Sequence, residues 1–380
     1  MRPVFPLPLT TTLTLAFATA VAAEPLPTPA WGALAPLSGE PGAHVSDVPS
    51  HDEATRLMLP IPFPNVVKAT LAGEPVPLQF NKDATEIALA IPAKLSGQLR
   101  LEIAEKTIQH SDGRIAFSAL DAKVVGGKAK LETHPGNHRI GFWSDPADSV
   151  KWDYNASRPG MYEVAITYSL ASGKSRVEVD YGGGKVEVDL TATGSWYHYT
   201  TVDAGRLYLE KDRKQTLTVK PISKSGGAVM NLKAVLLTPA PEGDPIIQDG
   251  DTITLRSKDA TTHGVKMRYE PNPKKNCLGY WANPADWASW DFNAKTPGRY
   301  NLVVTQGCGK GHGGSVVKVL LGDQALEFTV ADTGGFQNWK ELDIGTVNIP
   351  AAGQHRLEVR PKKKTGVAVM DIRQIRLDKE

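Results

Sequence analysis

Two stretches of this chain, Gly141 to Tyr162 and Gly279 to Tyr300, read GFWSDPADSVKWDYNASRPGMY and GYWANPADWASWDFNAKTPGRY. Aligned without a gap they share Trp143 with Trp281, Pro146 with Pro284, Asp148 with Asp286, Trp152 with Trp290, Asn155 with Asn293 and Gly160 with Gly298. Such a long-period duplication constrains the fold more than any other feature, because whatever unit forms must form twice. With 380 residues in the chain, two such units leave room for one further small domain.

The likeness continues to the end of each copy. Thr193-Gly194 with Asp203 and Gly205 matches Thr333-Gly334 with Asp343 and Gly345, and Ala228-Val229-Met230-Asn231 matches Ala368-Val369-Met370-Asp371. Between these landmarks, runs such as Tyr162 to Tyr168, Arg176 to Asp180 and Lys185 to Leu190 alternate apolar and polar residues, as do their counterparts at 300–305, 316–321 and 325–330. That alternation predicts antiparallel strands with one greasy and one wet face, and no segment carries a helical period. The expected fold class is all-β: tandem jelly-roll β-sandwiches preceded by a small antiparallel β domain.

Ahead of the repeats, Arg2 precedes the apolar run Leu13 to Ala18, followed by the small residues Ala20-Val21-Ala22-Ala23. This predicts a signal peptide over 1–23 and a secreted or periplasmic mature protein. Residues 24–56 are rich in Pro, Gly, Ala and Ser and read as linker. Short strand-like runs over 57–110 predict the small β-sandwich, and the repeats are placed at 111–242 and 243–380. With 22% charged residues and a formal net charge of +2, the chain has no basic stripe suited to nucleic acid. Past the leader, no run approaches the ~20 apolar residues that span a bilayer.

The pattern W-x-x-P-x-D, W-D-[YF], P-G-x-Y, T-G-x-[WF] and G-x-A-V-M-[DN], present in both copies, resembles the carbohydrate-binding-module-like jelly rolls of the galactose-binding-like superfold. Modules of that type are appended to secreted bacterial sulfatases and fucosidases. Residues 57–108, with Leu59-Pro60, Val66 to Val76 and Ile87 to Pro92, resemble the C-terminal β-sandwich of α-L-fucosidases, without the catalytic barrel. These resemblances imply a glycan partner. Many similar modules also carry a structural calcium. Asp371 stands at the late acidic position, Glu270 is one candidate for the early ligand, and Asn231 replaces the acid in the first copy. Calcium takes six to eight oxygens, and with so few in view no cofactor is assigned.

Sugars are bound in water by stacking their apolar faces on exposed aromatic rings while polar groups orient the hydroxyls. Strand period assigns Trp152, Tyr154, Trp290 and Phe292 to the core. Six aromatics remain as candidate ligand contacts: Trp143 and Trp281 beside turns, Trp196, Tyr199 and Trp339 after the Thr-Gly turns, and Trp287. Trp287 aligns with Ser149, so the common core does not require it, and it is the leading platform. Trp143 and Trp281 fit burial against the sheet equally well.

No carboxylate pair, nucleophile or metal-spaced histidine set stands out, so no catalytic residue is nominated and the expected role is non-catalytic glycan binding. Two other readings stay open: a module that binds a partner protein such as a secreted hydrolase, and a glycoside hydrolase-related protein. Cys277 and Cys308 are the two cysteines, and their counterparts Arg139 and Leu170 lack sulfur. Their joint presence in one copy predicts a disulfide closing the second repeat.

Overall fold

The computed structural model describes residues 35–36, 43–50, 52–59, 66–80, 87–104, 107–133, 138–210 and 214–380. The expected signal peptide lies outside them. Among the described residues the chain is built from strands and two single-turn 3-10 helices, and no helix is long and apolar enough to cross a membrane.

Each repeat is a pair of sheets closed over one core, antiparallel except where Ile246–Ile247 pairs parallel to Trp287–Ala294 in the second. In the first repeat, one sheet orders the strands Lys123–Val125, Ser149–Asn155, Lys214–Lys224, Lys174–Asp180 and Lys185–Thr191. Facing it, Lys130–Glu132, Arg139–Gly141, Asn231–Pro239, Gly160–Ser169 and Thr200–Leu209 form the second sheet, with Ile115–Ser118 added against Asn231–Pro239. The second repeat reproduces both sheets. Trp287–Ala294, Gly353–Lys363, Val316–Leu321 and Gln324–Thr329 lie in one. Arg268–Glu270, Cys277–Gly279, Asp371–Lys379, Gly298–Cys308 and Gly335–Ile349 lie in the other. Non-sequential neighbours in both sheets give the jelly-roll crossing that alternation alone does not specify.

The alternating residues meet between the sheets. Trp152, Tyr154, Tyr162 and Phe117 are buried together in the first core, as Trp290, Phe292 and Tyr300 are in the second. Each buried indole still needs an acceptor for its N–H. Trp152 donates to the Ser118 carbonyl at 2.7 Å and Trp290 to the Arg256 carbonyl at 2.8 Å.

A lock that local alternation does not show sits at the entrance of each repeat. Gln109 donates through Nε2 to Tyr162 Oη and the Gly113 carbonyl, and its Oε1 accepts from the Ser157 and Arg158 N–H groups. Gln248 does the same with Tyr300, Gly250, Lys295 and Thr296. The first repeat thus recruits residues before the 111 boundary that the strand pattern suggests.

The segment read as linker also contributes strands. Ala43–Val48 pairs along Gly97–Ile103, which in turn pairs with Val66–Leu71. A three-stranded sheet of Thr55–Leu59, Ile87–Ile91 and Leu78–Phe80 completes the small domain. Its core, including Leu71, Leu89, Leu99 and Leu101, is much smaller than those of the repeats. Ala43–Val48 escapes a sequence reading because AHVSDV, with polar residues at 44, 46 and 47, carries no regular apolar alternation, and Pro and Gly surround it.

The two repeats touch through a buried polar junction. Arg158 of the first, almost wholly buried, donates through Nε and Nη2 to Thr262 Oγ1 of the second at 3.0 and 2.5 Å. The Gly264 N–H reaches the Asp112 carbonyl at 3.2 Å.

Candidate functional site

In each repeat the strand carrying the duplicated G-[FY]-W motif ends in a residue with left-handed backbone. Phe142 has φ +53° and Tyr280 φ +56°. For a bulky L-residue that conformation costs on the order of 1–2 kcal/mol, and strain of this kind gathers at functional positions. The kink turns successive side chains to opposite sides. Phe142 is 66% exposed and Tyr280 49%, while Trp143 and Trp281 are fully buried. The Trp143 carbonyl then accepts from the Val229 N–H at 2.7 Å, and the Trp281 carbonyl from the Val369 N–H at 2.9 Å. Trp143 and Trp281 therefore offer no ring face to a ligand. The surface aromatic is the residue before each.

In the first repeat the Thr-Gly loop delivers two more exposed rings. Thr193 accepts the Leu170 N–H at 3.1 Å, and the Trp196 carbonyl accepts from Ser169 Oγ at 2.8 Å and Asn231 Nδ2 at 3.1 Å. Anchored in this way, the loop holds Trp196 at 37% and Tyr197 at 67% exposure. Arg139 lies 5.4 Å from the Tyr197 ring and pairs with Glu132 at 2.7 Å. Tyr199 is half-buried under Lys233, whose Nζ is 5.4 Å from its ring. Trp196 and Tyr197 thus adjoin the Asn231 amide and Arg139, and exposed Phe142 follows directly on the Arg139–Gly141 strand.

The second repeat varies this surface. Tyr280 carries the Arg268 guanidinium 3.3 Å over its ring, which closes one face. Phe336 replaces Trp196 and faces His312 at 6.3 Å, and half-buried Trp339 sits 5.4 Å from the Arg373 guanidinium. Where Asn231 stands in the first repeat, Asp371 is buried close to Glu270 and Cys277. Burial, and then the Glu270 charge, push the Asp371 carboxyl up to about 7, and burial raises the Cys277 thiol.

Trp287 is not an open platform. His263 stacks on it at 3.6 Å with 10° between planes, and the Arg360 guanidinium lies 3.4 Å over the ring. Two groups that close to one ring must take opposite faces. Cross-strand pairing brings this about, because His263 is directly opposite Trp287 and the Ala288–Val359 pair sets Arg360 level with it on the other side. Comparing the copies along the chain cannot reveal such lateral neighbours.

The expected disulfide is absent. Cys277 and Cys308 are both free and buried. They occupy strands on either side of Asp371–Lys379, so two strand spacings, roughly 9–10 Å, separate their backbones. A disulfide needs Cα atoms within about 7 Å. Cys308 packs in the core where Leu170 packs in the first repeat, and burial raises its thiol also.

A cleft of about 550 Å³ lies where the repeats meet, lined by Asp112, Arg114, Glu163, Arg206, Asp291 and Arg356 among others. These six charges are paired within the wall. Arg114 meets Asp112 at 2.7 Å, Arg206 meets Glu163 at 3.1 Å and Arg356 meets Asp291 at 2.7 Å.

Among solved structures, an uncharacterised Listeria monocytogenes protein is similar at 14% identity and TM-score 0.32, over 52% of this chain and 19% of its own. A family 35 carbohydrate binding module from Clostridium thermocellum is similar at 19% identity and TM-score 0.29, over 33% of this chain and 96% of its own. The C-terminal family 6 module of a Zobellia galactanivorans laminarinase is similar at 24% identity and TM-score 0.27, over 34% of this chain and 99% of its own. The chain thus spans about a fifth of the Listeria protein's length. No curated protein matches the chain. The family model described as Domain of unknown function (DUF5077) matches residues 119–241 and again 268–380. Those two matches cover more than half of the chain and fall on the two jelly rolls, so the chain belongs to the DUF5077 family and carries its domain twice.

Proposed function

We propose that the protein binds a glycan, without turning it over, through the aromatic surface of its first repeat. The observation that carries this reading is the set of exposed rings of the first repeat, Phe142 held two-thirds exposed by a left-handed backbone and Trp196 and Tyr197 on the loop anchored through Asn231. Rings anchored at their backbones stack on sugar C–H faces with little entropy left to lose. The buried Asn231 amide and the buried Arg139, paired with Glu132, hold this surface from beneath. Glu270 and Asp371 do not fit the acid and second carboxylate of a glycosidase, because Asp371 is 5% exposed and a glycosidic oxygen cannot reach it.

The apolar leader-like run at 13–18 supports export, which places the protein where polysaccharides are met. Affinity electrophoresis through gels carrying a panel of neutral and acidic polysaccharides tests the reading. At least one polymer is expected to retard the protein, and an aryl-glycoside panel is expected to stay uncleaved. Migration unchanged by every polymer would sink the proposal.

A further inference from the structure

Beneath the surface of the second repeat, Glu270, Cys277 and Asp371 bring one ligand atom each to within 4.8 Å of one another. They come from neighbouring strands, with Glu270 directly opposite Cys277 and the next residue, Leu278, opposite Ile372. Gly279 leaves the room in which they converge. A Cβ there would collide with Glu270 Oε2 and lie 3.3 Å from Asp371 Oδ1. The polar contacts of Asp371 are long, Cys277 Sγ at 3.7 Å and Gln337 Nε2 at 3.5 Å, and both fall on Oδ2. Neither of these contacts falls on its Oδ1.

The first repeat supplies an internal comparison. Glu132, Arg139 and Asn231 hold the same three places, and Asn231 Oδ1 lies 3.2 Å from the corresponding Cβ position on Gly141. There the Arg139 guanidinium is laid on Glu132 with contacts of 2.7 and 3.1 Å. A built-in cation thus faces one acid and one amide. In the second repeat a thiol replaces that cation and a second acid replaces the amide, so the cradle has gained negative ligands and the cation paired with its Glu is Lys275, reaching Glu270 from outside the three places.

We propose that Glu270, Cys277 and Asp371 bind a borderline-soft divalent cation of the Zn²⁺ class. Calcium and magnesium take oxygen ligands, whereas a thiolate joined to carboxylates suits zinc. Three protein ligands leave a fourth position for water or an external group. Binding takes Cys277 as its thiolate, with the thiol proton released to solvent. Lys275 Nζ sits 2.6 Å from Glu270 Oε1, on the oxygen turned away from the cradle. Two carboxylates, one thiolate, the Lys275 ammonium and a divalent ion then sum to zero charge. Partly exposed Glu270 marks the side from which an ion enters.

Full-length protein, stripped with a chelator, is titrated with Zn²⁺ against a chromophoric competitor, and separately with Co²⁺ while thiolate-to-metal charge-transfer absorption is followed. One equivalent of Zn²⁺ and a Co²⁺ thiolate band are expected. Affinity should fall about tenfold or more in Cys277→Ser and in Asp371→Asn. Asp371→Asn installs the residue that the first repeat carries at this place, and its thermal midpoint reports whether it folds. Stoichiometric binding absent from the unmodified protein, or affinity retained in both variants, overturns the proposal. Should neither variant fold, the Co²⁺ spectrum of the unmodified protein decides, and a missing thiolate band overturns it.

Discussion

Trp143 and Trp281 fill equivalent core positions but satisfy their indole N–H groups differently. Trp281 Nε1 donates to the Asp286 carbonyl at 2.7 Å, whereas Trp143 Nε1 is buried and finds no acceptor among the described residues. A buried donor left unmet costs about 1–3 kcal/mol. Replacing Trp143 by Phe removes that cost together with some packing, while replacing Trp281 by Phe orphans a carbonyl. Chemical denaturation should show Trp281→Phe the more destabilised of the two by about 1–2 kcal/mol. Equal losses would contradict the assignment of these hydrogen bonds. Both indoles lie one residue away from the exposed ring, and a left-handed φ at the residue before them is what separates surface from core.

Within each repeat the loop closed by Asp148 or Asp286 is the clearest case of an element built around one side chain. Asp148 accepts the N–H groups of Gly127, Lys128 and Ala129 at 2.9, 2.9 and 2.6 Å. Asp286 accepts those of Lys266 and Met267, both at 2.8 Å. Gly126 and Gly264, both with φ +134°, are needed beneath them because a Cβ would strike the carboxylate. The Ala129 N–H bond, outweighing burial, holds the Asp148 carboxyl below the usual range. Its stabilisation is therefore present above the ordinary carboxylate pKa and lost as pH falls through the lowered one. Asp148→Ala, which strands one buried donor and two part-buried ones, should cost about 2 kcal/mol in urea unfolding, and a loss below about 1 kcal/mol would refute the role given to this acid.

This element also marks how far the sequence is legible. The duplicated W-x-x-P-x-D spacing places the acid, the turn and the two cores, because alternation and repetition are local in the chain. Trp287 and the cysteine pair are misread for the opposite reason. His263, Arg360 and the strand between the two cysteines come from elsewhere in the chain, and only the sheet order brings them alongside. Phe142 and Tyr280 are missed because a side chain's face after a kink depends on a dihedral that residue type does not announce.

Across the whole molecule, the junction between repeats is buried, polar and rich in imidazole. Burial, reinforced by Arg356, Arg360 and Arg158, lowers His263 to about 4, and burial lowers His110 to a similar value. The unfolded chain takes up these protons near the ordinary value of 6.5 and the folded chain only near 4. Stability contributed by the neutral rings is therefore complete above pH 6.5 and lost as pH falls toward 4, by about 3 kcal/mol for each ring. Asp371, raised from the ordinary 3.8 to about 7, works in the opposite sense, gaining stability throughout that window as pH falls from about 7 toward 3.8. Urea unfolding at pH 7 and 4.5 should show a smaller acid loss for His263→Gln than for the unmodified protein, and an identical loss would contradict the burial of this ring. Arg158→Ala should loosen the junction, so that calorimetry resolves separate transitions for the two repeats where the intact protein shows them coupled. The central claim, a glycan surface at Phe142, Trp196 and Tyr197, is met most directly by measuring retardation on the polysaccharide that slows the intact protein. Trp196→Ala combined with Tyr197→Ala is expected to abolish that retardation while Trp287→Ala leaves it unchanged. Retardation that survives the double substitution, or disappears with Trp287→Ala, would contradict it.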